Sequence, residues 1–156
     1  MQARIKSPAL TTPGLREALM QISKVADSTG IPRATLELVH VRVGQINGCS
    51  VCVDMHTRSM RKHGETDARI CSVSTWREAS YYTEPERAAL ALAEAATRLA
   101  DATDAVPDEI WAAAAAHFSE AELGGLVTTI ALANFWNRLN ATTRQISGDW
   151  VAQLIA

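Results

Sequence analysis

The sequence predicts an all-α protein of six to seven helices. Three observations carry that expectation. Apolar residues recur at three- and four-residue spacing along much of the chain. Two capping boxes, Thr83-Glu84-Pro85-Glu86 and Ser119-Glu120-Ala121-Glu122, open helical runs. No hairpin dipeptide sits between alternating runs, so no sheet is signalled.

The first helix is expected over Leu15–Ser28, with Leu15, Leu19, Ile22 and Val25 on one face and Gly30 as a stop. Pro32 can open the second, which carries Leu36, Val39 and Val43. That stretch is rich in β-branched residues and has strand character as well. Gly44 to Gly48 reads as a break. The third helix runs from about Cys49 to His63, and Gly64 ends it. Arg61, Lys62 and His63 suit the negative end of its dipole. A short helix is expected around Asp67–Ser80, and another from the Thr83 box to about Ala102. Pro107 starts a helix through the alanine run to His117. The Ser119 box opens the last, reaching about Arg144, with Phe118 and Leu123 at hydrophobic-staple positions.

The chain has 156 residues, which suits one domain over 1–156. Such a domain buries roughly 68–70% of its unfolded surface and needs no staples. Its net charge of −2 gives no electrostatic grip on nucleic acid or on an anionic membrane. The apolar stretch Leu123–Trp136 is too short and too polar to span a bilayer. The amino-terminal stretch has no apolar signal region, so a cytoplasmic location is expected. Three cysteines, two of them three apart, do not make a secreted disulfide framework.

The chemistry concentrates in a redox core at about 32–64, within Glu37-Leu-Val-His through Cys49-Ser-Val-Cys52 to His56. On a helix starting near Cys49, residues Cys49, Cys52, Val53, His56 and Met60 share one face. Two sulfurs three apart at a helix start can form a disulfide with little backbone movement. The helix dipole, its free N–H groups and His56 each favour thiolates, pulling a thiol below its free value of about 8.5. An antiparallel helix pair would return Glu37 toward His56, to orient the imidazole and hold its proton. The dipole alone favours Cys49 as the reactive sulfur. A histidine one turn away favours Cys52 and is the more specific activator.

This segment resembles the alkylhydroperoxidase D (AhpD) core of the carboxymuconolactone decarboxylase-like superfamily. The family pattern is Glu, Cys-x-x-Cys twelve residues on, and His four residues after the second Cys, as Glu37, Cys49, Cys52 and His56 stand here. Gln45-Ile46-Asn47-Gly48, Asp54-Met55-His56-Thr57, Trp76-Arg77-Glu78-Ala79, the run from Glu86 to Ala93 and Asn134-Phe135-Trp136-Asn137-Arg138 are similar too. The resemblance covers roughly residues 15–145. It implies a helical homo-oligomer, a trimer or hexamer, that reduces hydroperoxides with its dithiol, without a cofactor, and is recharged by a thiol reductant. It implies Cys52 as nucleophile, Cys49 as resolving cysteine, His56 as base and Glu37 as the end of the proton relay. One position departs. AhpD proper has His next to the second cysteine and many relatives have Tyr, where this chain has Val51. Valine cannot donate a proton to a peroxide oxygen, which gives weight to a general dithiol–disulfide role.

Other readings weigh less. Cys49, Cys52, His56 and Glu37 could ligate zinc, but the usual second Cys/His pair is missing. The superfamily's decarboxylase branch needs no dithiol. A redox- or metal-responsive interaction module is the non-enzymatic alternative. His40 is expected at the surface or in packing, His63 and His117 as helix C-caps, and Cys71 as a small buried apolar residue. Asn134, Asn137, Arg138 and Asn140 form a polar patch suited equally to a hydrogen-bond network and to substrate contact. Trp76, Trp111, Trp136 and Trp150 are expected as core or interface anchors.

Overall fold

The computed structural model describes residues 2–155, the side chain of Asp101 apart. The described residues form α1 (Pro8–Thr11), α2 (Leu15–Asp27), α3 (Arg33–Ile46), α4 (Ser50–Lys62), α5 (Asp67–Ser72), α6 (Glu84–Thr97), α7 (Asp108–Ala115) and α8 (Glu120–Thr143). Short 3-10 turns lie at Val73–Thr75, Leu99–Asp101 and Asp149–Leu154. Among the described residues there is no strand, and no helix is long and apolar enough to cross a membrane.

Helix α3 is the central strut and packs against α4, α6 and α8. Leu38, Val39, Val41 and Val43 are fully buried, so its apolar residues face several neighbours at once. A helix buried on most sides has no clean stripe, which is why this segment also carries strand character in the sequence. Leu36, Val39 and Val43 join Leu92, Phe118, Leu126 and Ile130 in one cluster. Leu38 and Val41 join Met60, Val73, Trp76 and Leu90 in another. Two close approaches set the spacing. Gly44 of α3 faces Val53 and Cys52 of α4, where a Cβ would lie 3.2 Å from Val53 Cγ2. Gly125 of α8 faces Thr29, where a Cβ would lie 2.9 Å from Thr29 Cβ and Cγ2.

The two capping boxes form as expected: Glu86 accepts from Thr83 N–H and Glu122 from Ser119 N–H, each at 2.8 Å. Phe118 and Leu123 are both buried in one cluster, as a hydrophobic staple requires. Helix α5 is shorter than expected. After Ser72 the chain turns through Val73–Thr75, so that Trp76 enters the core and its indole N–H donates to Glu94 at 2.9 Å. The Arg87 guanidinium then donates to the carbonyls of Trp76, Arg77 and Ala79. Glu94 also accepts from Arg42 at 2.6 Å and pairs with Arg77 at 2.7 Å, so its buried carboxylate is fully compensated.

Several expectations are corrected. Helix α6 ends at Thr97 rather than near Ala102, with Arg98 as its C-cap. Cys71 is exposed: it lies next to Ile70, the residue with which α5 meets the core, and its own side faces solvent. On α2 only Leu19 and Ala26 are buried, whereas Ile22 and Val25 are exposed with Met20, because α8 covers a narrower face than the apolar stripe offers. The tryptophan expectation is not overturned: Trp76 lies in the core, and Trp111 and Trp150 are exposed, where an interface anchor would stand.

The Gly125 approach carries a stability prediction. Gly125→Ala forces the Thr29 side chain aside and costs about 1–3 kcal/mol. Thr29→Ala in the same chain should recover part of that loss. Denaturant midpoints of the three variants measure it; an unshifted Gly125→Ala midpoint would show that the two segments can separate freely.

Candidate active site

The pair α3–α4 builds the site. Asn47 and Gly48, the latter at φ +66, turn the chain between them. Cys49 is the N-cap of α4 rather than part of its first turn, and its sulfur accepts from Cys52 N–H at 3.3 Å. Cys49 and Cys52 are joined in a disulfide, with Cα atoms 5.4 Å apart. Both are buried, beside Val51, Met55 and Val151. Val151 belongs to the 3-10 turn at Asp149–Leu154, so the end of the chain seals the apolar side of the disulfide.

The antiparallel pair brings Glu37 back to His56. The imidazole Nδ1 lies 2.7 Å from Glu37 Oε2. A carboxylate only accepts, so Nδ1–H is the donor and Nε2 is the ring nitrogen not engaged by Glu37. Ser59 donates to the other Glu37 oxygen at 2.6 Å, and Arg33 approaches it at 3.5 Å. Burial pushes the Glu37 carboxyl up, but the hydrogen bond and charge of His56, with the Ser59 hydroxyl, outweigh it and hold the group at about 2. His56 lies one helical turn after Cys52 on the same face of α4.

Three groups enter the site without being singled out for it in the sequence. His40 stacks on His56, ring centroids 4.1 Å apart and planes within 2°. Burial, then the charge of His56, drive the His40 imidazole down to about 3 against the opposing pull of Glu37, so it stacks as a neutral ring. Its signal was a helical spacing of three from Glu37. Ser59 and Arg33 complete the Glu37 shell and carry no signal beyond their positions on the two helices.

The polar patch on α8 resolves into a network that ends on sulfur. Asn137 donates to Cys52 Sγ at 3.0 Å, and Asn140 lies 3.5 Å from Cys52 Sγ and 3.7 Å from Cys49 Sγ. Asn47 donates to Asn137 Oδ1 at 2.8 Å and to Asn134 Oδ1 at 3.0 Å. Those bonds use the oxygen of Asn137 and leave its amide N–H groups aimed at the sulfur. A neutral disulfide accepts weakly; a thiolate in the same place accepts strongly. Arg138 bonds Asn134 rather than the sulfurs. His63 caps α4 by its ring at 2.7 Å from Ser59 O, whereas His117 is exposed in the turn after α7. Among the described residues no group of three His, Cys, Asp or Glu side chains is arranged to hold a metal ion.

Comparison with known proteins bears on this geometry. The carboxymuconolactone decarboxylase family model matches residues 13–95. The uncharacterized protein YdfG of Bacillus subtilis is 36% identical over 140 residues, covering 90% of this chain and 93% of its own. The alkyl hydroperoxide reductase AhpD of Maricaulis maris is 42% identical over 41 residues, only 26% of this chain and 24% of its own. A crystal structure of a protein of unknown function from Agrobacterium tumefaciens, a candidate antioxidant defence protein AhpD, superposes with TM-score 0.87 at 33% identity. That match covers 94% of this chain and 99% of the other.

The Glu37 environment predicts a pH effect. Its carboxyl is held at about 2, below the ordinary 4.5, so the stability it contributes is fully present above about 4.5. That contribution is lost as pH falls through 2. Glu37→Gln should therefore flatten the acid side of the stability curve between those values. Urea unfolding measured from pH 2 to 7 tests it, and an acid limb as steep as the parent's would mean that the carboxylate is not held by its partners.

Proposed function

The chain belongs to the carboxymuconolactone decarboxylase family, and from that footing we propose that it is a thiol-dependent hydroperoxide reductase of the AhpD kind. The observation that carries the reading is the hydrogen-bonded series Glu37–His56 beside a disulfide whose Cys52 sulfur meets two amide donors.

In the reduced protein Cys52 is the attacking thiolate. The amides of Asn137 and Asn140 stabilise its charge, and His56 Nε2 takes the thiol proton while Glu37 steadies the imidazolium. The thiolate attacks one peroxide oxygen, the O–O bond breaks, and the leaving alkoxide receives the proton from His56. Cys52 is left as a sulfenic acid. The Cys49 thiol then attacks that sulfur, the Cys49–Cys52 bond forms and water departs. The neutral His40 ring supports the imidazole face without adding a second positive charge beside it.

Val51 favours a second reading, a general dithiol–disulfide oxidoreductase. Its side chain is buried against Val151 and Met55 and offers a peroxide oxygen no donor. The same dithiol would then act on a protein or small-molecule disulfide. A homo-oligomer is part of the first reading, and the exposed Met20, Ile22 and Val25 on α2 support it. Light scattering should give a mass of three or six chains; a monomer at micromolar concentration would remove that part.

Cys52→Ser should lose hydroperoxide consumption altogether. Cys49→Ser should consume one equivalent and stop, with a dimedone adduct at Cys52 by mass spectrometry. The opposite pattern would exchange the two roles. Consumption by neither the parent nor any variant, with disulfide reduction intact, would leave the oxidoreductase reading.

A further inference from the structure

The structure holds the oxidised dithiol, which is the state a reductant must meet. A cavity of about 430 Å³ lies between the start of α4 and the end of α8. Cys49, Ser50, Asn140, Arg144 and Gln145 line it, and Cys52 does not. No carboxylate faces this cavity. Arg144, the C-cap of α8, is held in the left-handed region at φ 54, a conformation uncommon for a residue with a side chain. Its guanidinium has no ion-pair partner among the described residues. The cavity therefore offers one free positive charge, amide and hydroxyl groups, and a wall formed in part by Cys49 of the disulfide.

We propose that this cavity admits a small thiol reductant bearing a carboxylate, which Arg144 receives while the thiolate attacks Cys49 Sγ. The proposal rests on the dithiol reading above and names the kind of reductant that serves it.

The exchange balances. The reductant thiolate forms a bond to Cys49 Sγ, the Cys49–Cys52 bond breaks, and the electron pair leaves on Cys52 Sγ. Asn137 at 3.0 Å and Asn140 at 3.5 Å are in place to receive that charge. A sulfur whose thiolate is stabilised leaves faster, so the donors on Cys52 direct attack to Cys49. A second thiolate, from the same or another reductant molecule, then attacks the reductant sulfur of the mixed disulfide and releases Cys49. Two reductant thiols become one disulfide, and their two protons end on Cys49 and Cys52.

The test uses the oxidised full chain and three simple thiols: mercaptoacetate, 2-mercaptoethanol and cysteamine. Rates are taken per thiolate and divided by the rate of each thiol on a free small-molecule disulfide. Mercaptoacetate should lead cysteamine by about two- to fivefold at low salt, the range of an exposed ion pair, and the lead should vanish near 1 M salt. Arg144→Gln should bring the ratio toward one, and Arg144→Lys should keep most of it. Quenching with N-ethylmaleimide should place the mixed disulfide on Cys49 and the maleimide on Cys52. An adduct on Cys52, or an anion preference that survives Arg144→Gln, would overturn the proposal. Equal rates in a parent that consumes peroxide would sink this inference alone. Arg144-dependent selectivity in a parent that consumes none would sink the peroxidase reading alone.

Discussion

The contact between Glu37 and His56 is the constraint from which the site follows. A carboxylate buried between two helices must be compensated or it forces the helices apart. Here the imidazole at 2.7 Å and the Ser59 hydroxyl at 2.6 Å compensate it, and both come from α4. The same bonds that satisfy Glu37 therefore fix the register of α4 on α3. That register sets where the N-cap of α4, and with it the disulfide, meets α8. Gly44 lets the two backbones come close enough for this to happen, with Val53 and Cys52 filling the space a side chain would take.

The donors are divided between the two sulfurs. Cys49 receives the backbone N–H of Cys52 at the start of α4 and, at 3.7 Å, the Asn140 amide. Cys52 receives two side-chain amides from α8, and Asn47 of the α3–α4 turn holds that of Asn137 in orientation. Backbone donors at a helix start are generic, and Asn140 lies within reach of both sulfurs; the oriented Asn137 amide is specific to Cys52. The division suits a pair in which one sulfur carries charge repeatedly and the other is approached from outside. The cavity lies on the Cys49 side, while Val51 and Val151 close the apolar side.

Polar groups elsewhere in the core are arranged to stay silent. Glu94 is surrounded by Arg42, Arg77 and the Trp76 indole, and Glu86 by Arg69 and the Thr83 backbone. Each of these carboxylates joins segments that apolar contacts alone would leave free to slide. Glu37 differs from them in its main partner: an imidazole can give up and regain a proton, and a guanidinium at neutral pH cannot.

Much of this was legible in the sequence because it depends on spacing along one helix. Cys52 and His56 share a face by the 3.6-residue period whatever the rest of the chain does, and the capping boxes at Thr83 and Ser119 are local chemistry. The break at Gly44 to Gly48 after the Glu37 helix allowed an antiparallel return of the chain toward His56, and the return is there. What spacing cannot supply is contact between elements distant in sequence. Asn137 is 85 residues from Cys52, and only the packing of α8 decides that its amide reaches sulfur rather than solvent. The same holds for the stacking of His40, the closure of Val51 by Val151, the exposure of Cys71 and the uncovered side of α2. Periodicity states which residues share a face. Which neighbour covers that face depends on how helices of given shape fill space together, and a side chain's environment is fixed only then.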